Sequence, residues 1–522
     1  MFPTGFIHYD MAYYSANARE LFDGGHFSLL YSNPGSFDYS SPRIFFQPLI
    51  VILGLLDAIP GADPGVVFAI VGVLGAVVCA RIAIALYDRF AGAGAAGRSA
   101  GLVAFIWGGG ALVAAGALFI LFHSGARPRE LFRYDTSWWF PNLGRNLVFP
   151  TEAIYHALFL GTMVLLYDRR FRMATFVMAL LAISHPFTGI ELLGVVTTWA
   201  LLEIAILRSA IVPKWFLAAC VALTLAHVAY YLVFLSTSPE QREVQRQWSV
   251  AWTVSLWTLL FGQLLVGGLA LWRMRTRERA AQVLREWPNR LLVVWFVVAL
   301  LFAKQELFLP AMQPIHFTRG YQWIPLFLLG LPVLLAIFAR IRAMRSPVLR
   351  TAAILGVLGI LVFDNAVWFA VQAAEQTGLK RLDGRKGPPF PTGVGLTKDQ
   401  IGLFHWMSEP PNRGFVVVSD DPWVGYLATV YTPLRSWRAH DLTTPYTVER
   451  QREIERFFYM GEVVDRWRGM PLLLVFRRGD TWRERVAAFG GEVPNPSFEN
   501  GSYVVVRRTR SAYGSVSLPV RR

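Results

Sequence analysis

The sequence predicts a mainly α, polytopic helical membrane protein followed by an α/β domain, and three observations predict it. Of 522 residues, 54% are hydrophobic and only 16% are charged, whereas a soluble domain carries about 25% charged residues. Apolar runs repeatedly reach the ~20 residues needed to cross a hydrocarbon core of ~30 Å. From about residue 375 the chain switches to alternating apolar strands, amphipathic helices and turns, the pattern of a folded α/β domain.

Taken in order, residues 1–45 form an aromatic-rich, loop-like segment with short amphipathic helices such as MAYYSANARELF. Residues 46–59 (FQPLIVILGLLDAI) are apolar but measure only ~21 Å if helical. Pro48 and Pro60 flank this run, which favours a re-entrant or interfacial element. Ten spans follow at about 65–87, 100–123, 151–167, 173–186, 187–207, 213–236, 251–272, 290–303, 321–340 and 350–371. They make residues 46–374 a transmembrane helical domain of ten or eleven spans, with residues 375–522 as the soluble domain.

The net charge of +15 does not call for nucleic acid, because most of the excess sits in short loops between spans, where basic residues set topology. One set of loops holds 17 basic residues, including Arg273 to Arg290 and Arg340 to Arg350, and the alternate set holds 8. The richer set is therefore expected in the cytoplasm, with the terminal domain extracytoplasmic. Residues 1–45 are then expected outside as a first external loop, and a first helix upstream of Met1 is expected. Cys79 and Cys220 lie in different spans and support neither a disulfide framework nor a metal cluster.

The opening segment carries the first chemistry. Asp10 precedes a helix, beside His8 and near Tyr13 and Tyr14. A carboxylate there suits the deprotonation of an acceptor hydroxyl; taken locally, it is equally the residue type that caps a helix. A second cluster, QELFLPAMQPIHFTRGYQWIPL, gathers His316 and Arg319 with Tyr321 and Trp323 where a span meets water. An Arg offers a bidentate clamp for phosphate, or an interfacial anchor. Arg43 has the same two readings. The loop 124–150 brings Arg133, Asp135 and Trp138 together, fit for a sugar face or an aromatic belt, and Glu152 and His156 follow at helical spacing. His185, Glu191, His227 and Asp364 lie within or beside spans, where polar groups are costly; each reads equally as a partner for backbone freed at a helix break. Asp420 and Asp421 follow a strand, and His440 and Asp441 follow a second. No phosphate-binding glycine fingerprint and no metal-ligand spacing occurs, so no cofactor is expected and no motif supports a divalent metal.

The opening run, Asp–x–x–Tyr–Tyr–x–x–x–Ala, then a glycine turn, then an aromatic and proline pair before an apolar run, resembles the first external loop of the C-type (GT-C) glycosyltransferases. That superfamily includes protein mannosyltransferases and aminoarabinose transferases that use polyprenyl-phosphate-linked sugars. The resemblance covers roughly the first 90 residues and the topology. It implies a polyprenyl-phosphate sugar donor, transfer to an acceptor on the outer face at the cell envelope, and Asp10 as base or acceptor-orienting group. It further implies Arg319, assisted by His316, at the carrier phosphate. Membrane lipid is the expected surrounding partner. A transporter or flippase for a lipid-linked or anionic solute, and a non-catalytic membrane assembly protein, are the alternatives.

Overall fold

The computed structural model describes residues 2–6, 9–22, 27–92, 94–134, 142–248, 252–376, 395–479, 481–489 and 493–509. The chain divides into two compact units. One comprises Met1–Phe68, Leu235–Gln247 and Pro391–Arg522; the other comprises Ala69–Phe234 and Trp248–Phe390. Composition changes near residues 45 and 374, but packing groups the opening segment with the C-terminal chain.

Six helices are long and apolar enough to cross a membrane: Pro64–Ala91, Pro186–Ile206, Lys214–Thr237, Leu256–Arg273, Pro314–Arg342 and Pro347–Ala374. Two further bent pairs would bring the number to at most eight among the described residues, if each pair were one span. The protein is thus a polytopic helical membrane protein, as expected. Other apolar runs form shorter helices or helices turned partly inward. Phe171–Ser184 is only 14 residues long, and Pro150–Tyr167 spends its first two turns on Glu152 and His156, both buried inside the protein. Pro48–Asp57 is a ten-residue apolar helix with proline at its first position, where the missing N–H costs nothing.

The run 100–123 is not one helix. Arg98–Trp107 and Leu112–Phe122 meet at 65°, with Gly108, Gly109 and Gly110 at the corner. A Cβ on Gly110 would stand 2.4 Å from the Gly262 carbonyl oxygen, so only glycine admits this approach. Backbone groups freed by such a break must find partners where water is scarce. The Asp364 carboxylate accepts from the N–H groups of Leu112 (2.6 Å) and Val113 (3.0 Å), the Gly109 N–H donates to Leu361, and the Ala111 N–H to Phe261. Pro186 opens a second break. There the ring nitrogens of His227 lie 2.9 Å and 3.1 Å from the carbonyl oxygens of Ala182 and Pro186, and His185 Nδ1 accepts from the Thr188 N–H.

In the other unit, β1 (Phe2–Pro3) pairs antiparallel with β2 (Gly395–Leu396). The main sheet has the order β4-β3-β5-β7-β6, from β3 (Val416–Ser419), β4 (Arg435–Ser436), β5 (Leu472–Arg477), β6 (Phe498–Glu499) and β7 (Tyr503–Arg508). β3 runs parallel to β4 and β5, while β5–β7 and β7–β6 are antiparallel. The runs VVVS and LLLVF are buried on both faces, as expected of parallel strands covered by helices. Trp437, Phe457, Trp467 and Phe476 fill the core beside them.

The opening segment is fastened to this unit by two buried arginines. Arg435 donates to Glu20 at 2.7 Å, to the Ser32 hydroxyl, and to the carbonyls of Ser36 and Asp38. Arg450 donates to the carbonyls of Gly35 and Trp437. Ser36 and Ser41 in turn donate to Glu240.

Asp364→Ala leaves two N–H donors bare at the helix corner, at a cost of about 1–3 kcal/mol each for a buried group. Thermal unfolding in detergent micelles should therefore show a clearly lowered Tm. Asp364→Asn, which keeps one acceptor oxygen, should fall between it and wild type; equal melting of all three proteins would refute the capping role.

Candidate functional site

Two groups of polar side chains stand out, one in each unit. In the unit built on the sheet, Asp10 immediately precedes the helix Met11–Glu20, yet its side chain makes no capping hydrogen bond. The carboxylate instead meets His440 Nε2 at 2.8 Å. His440 is nearly buried, at 4% side-chain exposure, while Asp10 stays 45% exposed. The Leu442 N–H donates to His440 Nδ1, so Nδ1 is the acceptor and the proton sits on Nε2, donating to Asp10. A backbone group thus sets the tautomer, and the tautomer aims the carboxylate.

Aromatic rings surround this pair. The Tyr9 ring lies 4.5 Å from His440, 5.0 Å from Tyr426 and 5.5 Å from Trp423, and Tyr13 lies 5.5 Å from His440. Tyr14 lies one turn face away, 6.3 Å from Phe68. Burial pushes the Tyr13 phenol up to about 12 and also raises Tyr9 and Tyr426. All three remain neutral at physiological pH and supply hydrogens, not a base. Asp441, the neighbouring carboxylate, is ion-paired with Arg438. Asp10 meets the His440 Nε2–H and keeps 45% of its side chain exposed. Asp421 is committed elsewhere, as the cap that accepts from the Trp423 N–H at 3.0 Å.

In the helical unit the group centres on Arg319, which is only 3% exposed. Its Nη1 pairs with Glu152 at 2.6 Å, its Nη2 donates to His316 Nδ1, and His185 Nε2 stands 3.5 Å away. The ring nitrogens of His156 lie 2.6 Å from the Arg319 carbonyl oxygen and 2.8 Å from that of Glu152, and its ring stacks on Tyr321 at 4.7 Å. Asn146 also donates to the Arg319 carbonyl. Gln313, the first residue of the loop entering this cluster, is buried with φ of 46°, a conformation that costs a non-glycine residue of order 1 kcal/mol. Glu191 is fully buried, and neither carboxylate oxygen has a hydrogen-bond partner among the described residues.

The structure thus joins Glu152, His156, His316 and Arg319, with His185 added, and separately joins Asp10 and Tyr13 with His440. It leaves others apart. Arg43 is half-buried ahead of Pro48–Asp57 and makes no ion pair among the described residues. Arg133 pairs with Glu130 and lies over the Phe119 ring. Asp135 and Trp138, like His8, lie outside the described residues. Among the described residues, no group of three or more His, Cys, Asp or Glu side chains is placed to hold a metal ion. The Asp10–His440 pairing spans 430 positions of sequence. No local pattern announces it, although each residue stands out singly as a polar group, Asp10 before a helix and His440 after a strand-like run.

No protein-family model and no curated protein matches the chain. Among solved structures, the chain is similar to the archaeal oligosaccharyltransferase AglB from Archaeoglobus fulgidus, in complex with an inhibitory peptide and a dolichol-phosphate. The TM-score is 0.41 at 12% identity, over 99% of this chain and 72% of that one.

Removing one member of a buried ion pair costs about 3–5 kcal/mol, because the other charge is left stranded. Glu152→Gln and Arg319→Met should each lower the Tm in micelles strongly, and the double variant less than the sum of the two. Strict additivity would show that the pair does not hold the cluster together.

Proposed function

We propose that the chain is a membrane glycosyltransferase that moves a sugar from a polyprenyl-phosphate-linked donor to an acceptor on the non-cytoplasmic face. The observation that carries this reading is the Asp10–His440 pair. A half-exposed carboxylate is held by a buried imidazole in a defined tautomer, among rings whose faces suit the CH surface of a sugar. In the proposed inverting step Asp10 takes the proton from the acceptor hydroxyl as its oxygen attacks the anomeric carbon. The glycosidic bond breaks on the opposite side, and its electron pair leaves with the carrier phosphate. His440 acts through Asp10: by donating Nε2–H it fixes the direction of the carboxylate.

The donor class comes from the resemblance of the opening loop. The same resemblance gives Arg319, with His316, the departing phosphate. Within its unit that guanidinium is already neutralised by Glu152, so holding a phosphate means exchanging one anionic partner for another, which Arg's forked donors permit. Arg43, exposed to fewer competing partners, is the second phosphate candidate. A transporter of an anionic solute is the second reading, and Glu191 favours it: a buried carboxyl in a membrane helix, without a hydrogen bond among the described residues, is a familiar place for a coupled proton.

The test is transfer in membrane vesicles from a panel of radiolabelled polyprenyl-phosphate sugars. Loss of a general base costs about 10²–10⁴-fold, so Asp10→Asn should fall by that order at matched expression. His440→Ala should lose up to about a hundredfold through misorientation, and His440→Gln, which keeps an N–H donor, should lose less. Full transfer by Asp10→Asn would remove Asp10 from the mechanism. No transfer from any donor by folded wild type would refute the enzyme and leave the transporter.

A further inference from the structure

A cleft of the helical unit is lined by none of the residues of either polar group. It has a volume of about 690 Å³ between Leu256–Arg273 and Trp323–Arg342, closed on one side by the short helix Arg277–Arg285. Its walls are apolar: Leu269 and Trp272 from the first helix, Pro332, Val333 and Ile337 from the second. Its rim is basic, with Arg273, Arg279 and Arg340 against one carboxylate, Glu286. Arg273 gives one donor to the Leu329 carbonyl, in the turn before Pro332, and Glu286 accepts from Asn289. Arg279 and Arg340 are exposed and form no ion pair among the described residues.

The short helix supplies a second, independent observation. It turns through 104° relative to Trp287–Ala303, so it does not continue that span. Val283 is buried while Arg277, Arg279 and Arg285 are exposed. A basic amphipathic helix set across the direction of its neighbour is the form that lies in the headgroup layer. The loop that carries it belongs to the arginine-rich set expected on the cytoplasmic side, where anionic lipids concentrate and each nearby Arg adds to their attraction.

We propose that this cleft binds an anionic phospholipid, with the acyl chains along the Trp272 and Pro332–Ile337 walls and the headgroup phosphate between Arg279 and Arg340. The apolar walls are what a free phosphate would not need, and the unpaired rim cations are what a zwitterionic lipid would not select. This site is independent of the glycosyl-transfer reading.

The experiment is lipid retention by the purified full chain in detergent micelles, read by native mass spectrometry with phosphatidylglycerol, phosphatidylcholine or inorganic phosphate added. Wild type should retain phosphatidylglycerol in preference to phosphatidylcholine. The double variant R279Q/R340Q should retain at least about tenfold less, given the attraction two arginines contribute. R279K/R340K, which keeps the charge, and R285Q, which alters the same helix away from the cleft, should both retain the lipid. Equal retention of the two lipids would overturn the proposal, as would undiminished binding by R279Q/R340Q or displacement of the lipid by millimolar inorganic phosphate. Because Arg279 and Arg340 are exposed, unchanged Tm values without added lipid separate lost binding from lost folding.

Discussion

A guanidinium taken out of water needs an acceptor for nearly every N–H, and both units of this chain are organised around that demand. Arg435 collects Glu20, Ser32 and the carbonyls of Ser36 and Asp38. These partners lie about 400 residues earlier in the chain, so satisfying one side chain fixes the course of the opening segment. Arg319 does the same in the helical unit, holding Glu152 and His316 by its side chain and receiving His156 and Asn146 at its carbonyl. Arg145, fully buried, adds a third case with Asn365 and the face of Trp368. Such residues contribute little net stability when paired, but they penalise every alternative arrangement heavily.

A second constraint follows from broken helices. Glycines at the 108–110 corner and proline at 186 release backbone groups in a region poor in water. Asp364, His227 and His185 take them up, which explains why polar residues persist in otherwise apolar runs. Neither carboxylate oxygen of Glu191 has a hydrogen-bond partner among the described residues.

Around Asp10 the electrostatics separate the candidates. Tyr9, Tyr13 and Tyr426 are kept neutral by burial, Asp441 is matched to Arg438, and Asp421 is spent on a helix cap. Asp10 meets the His440 Nε2–H and stays partly exposed. Its position before a helix invites the reading of a cap. Its backbone, however, has helical φ and ψ (−73° and −14°), not the extended values of a capping residue, and the side chain turns to His440 instead.

What the sequence determined by itself is whatever depends on local composition and periodicity. Long apolar runs can only be satisfied in lipid, so the helical membrane class was legible, as were the short Pro48–Asp57 element, the strands VVVS and LLLVF, and the convergence of His316 and Arg319 within one short loop. Hydropathy alone does not show which helices bury polar turns against their neighbours, as Pro150–Tyr167 does with Glu152 and His156. Only tertiary structure decided which distant residues meet: Asp10 with His440, Glu20 with Arg435, Glu152 with Arg319, Asp364 with the corner at Leu112. The physical reason is that a buried polar group must be paired but is indifferent to where in the chain its partner originates. Chain folding, not sequence distance, makes that choice.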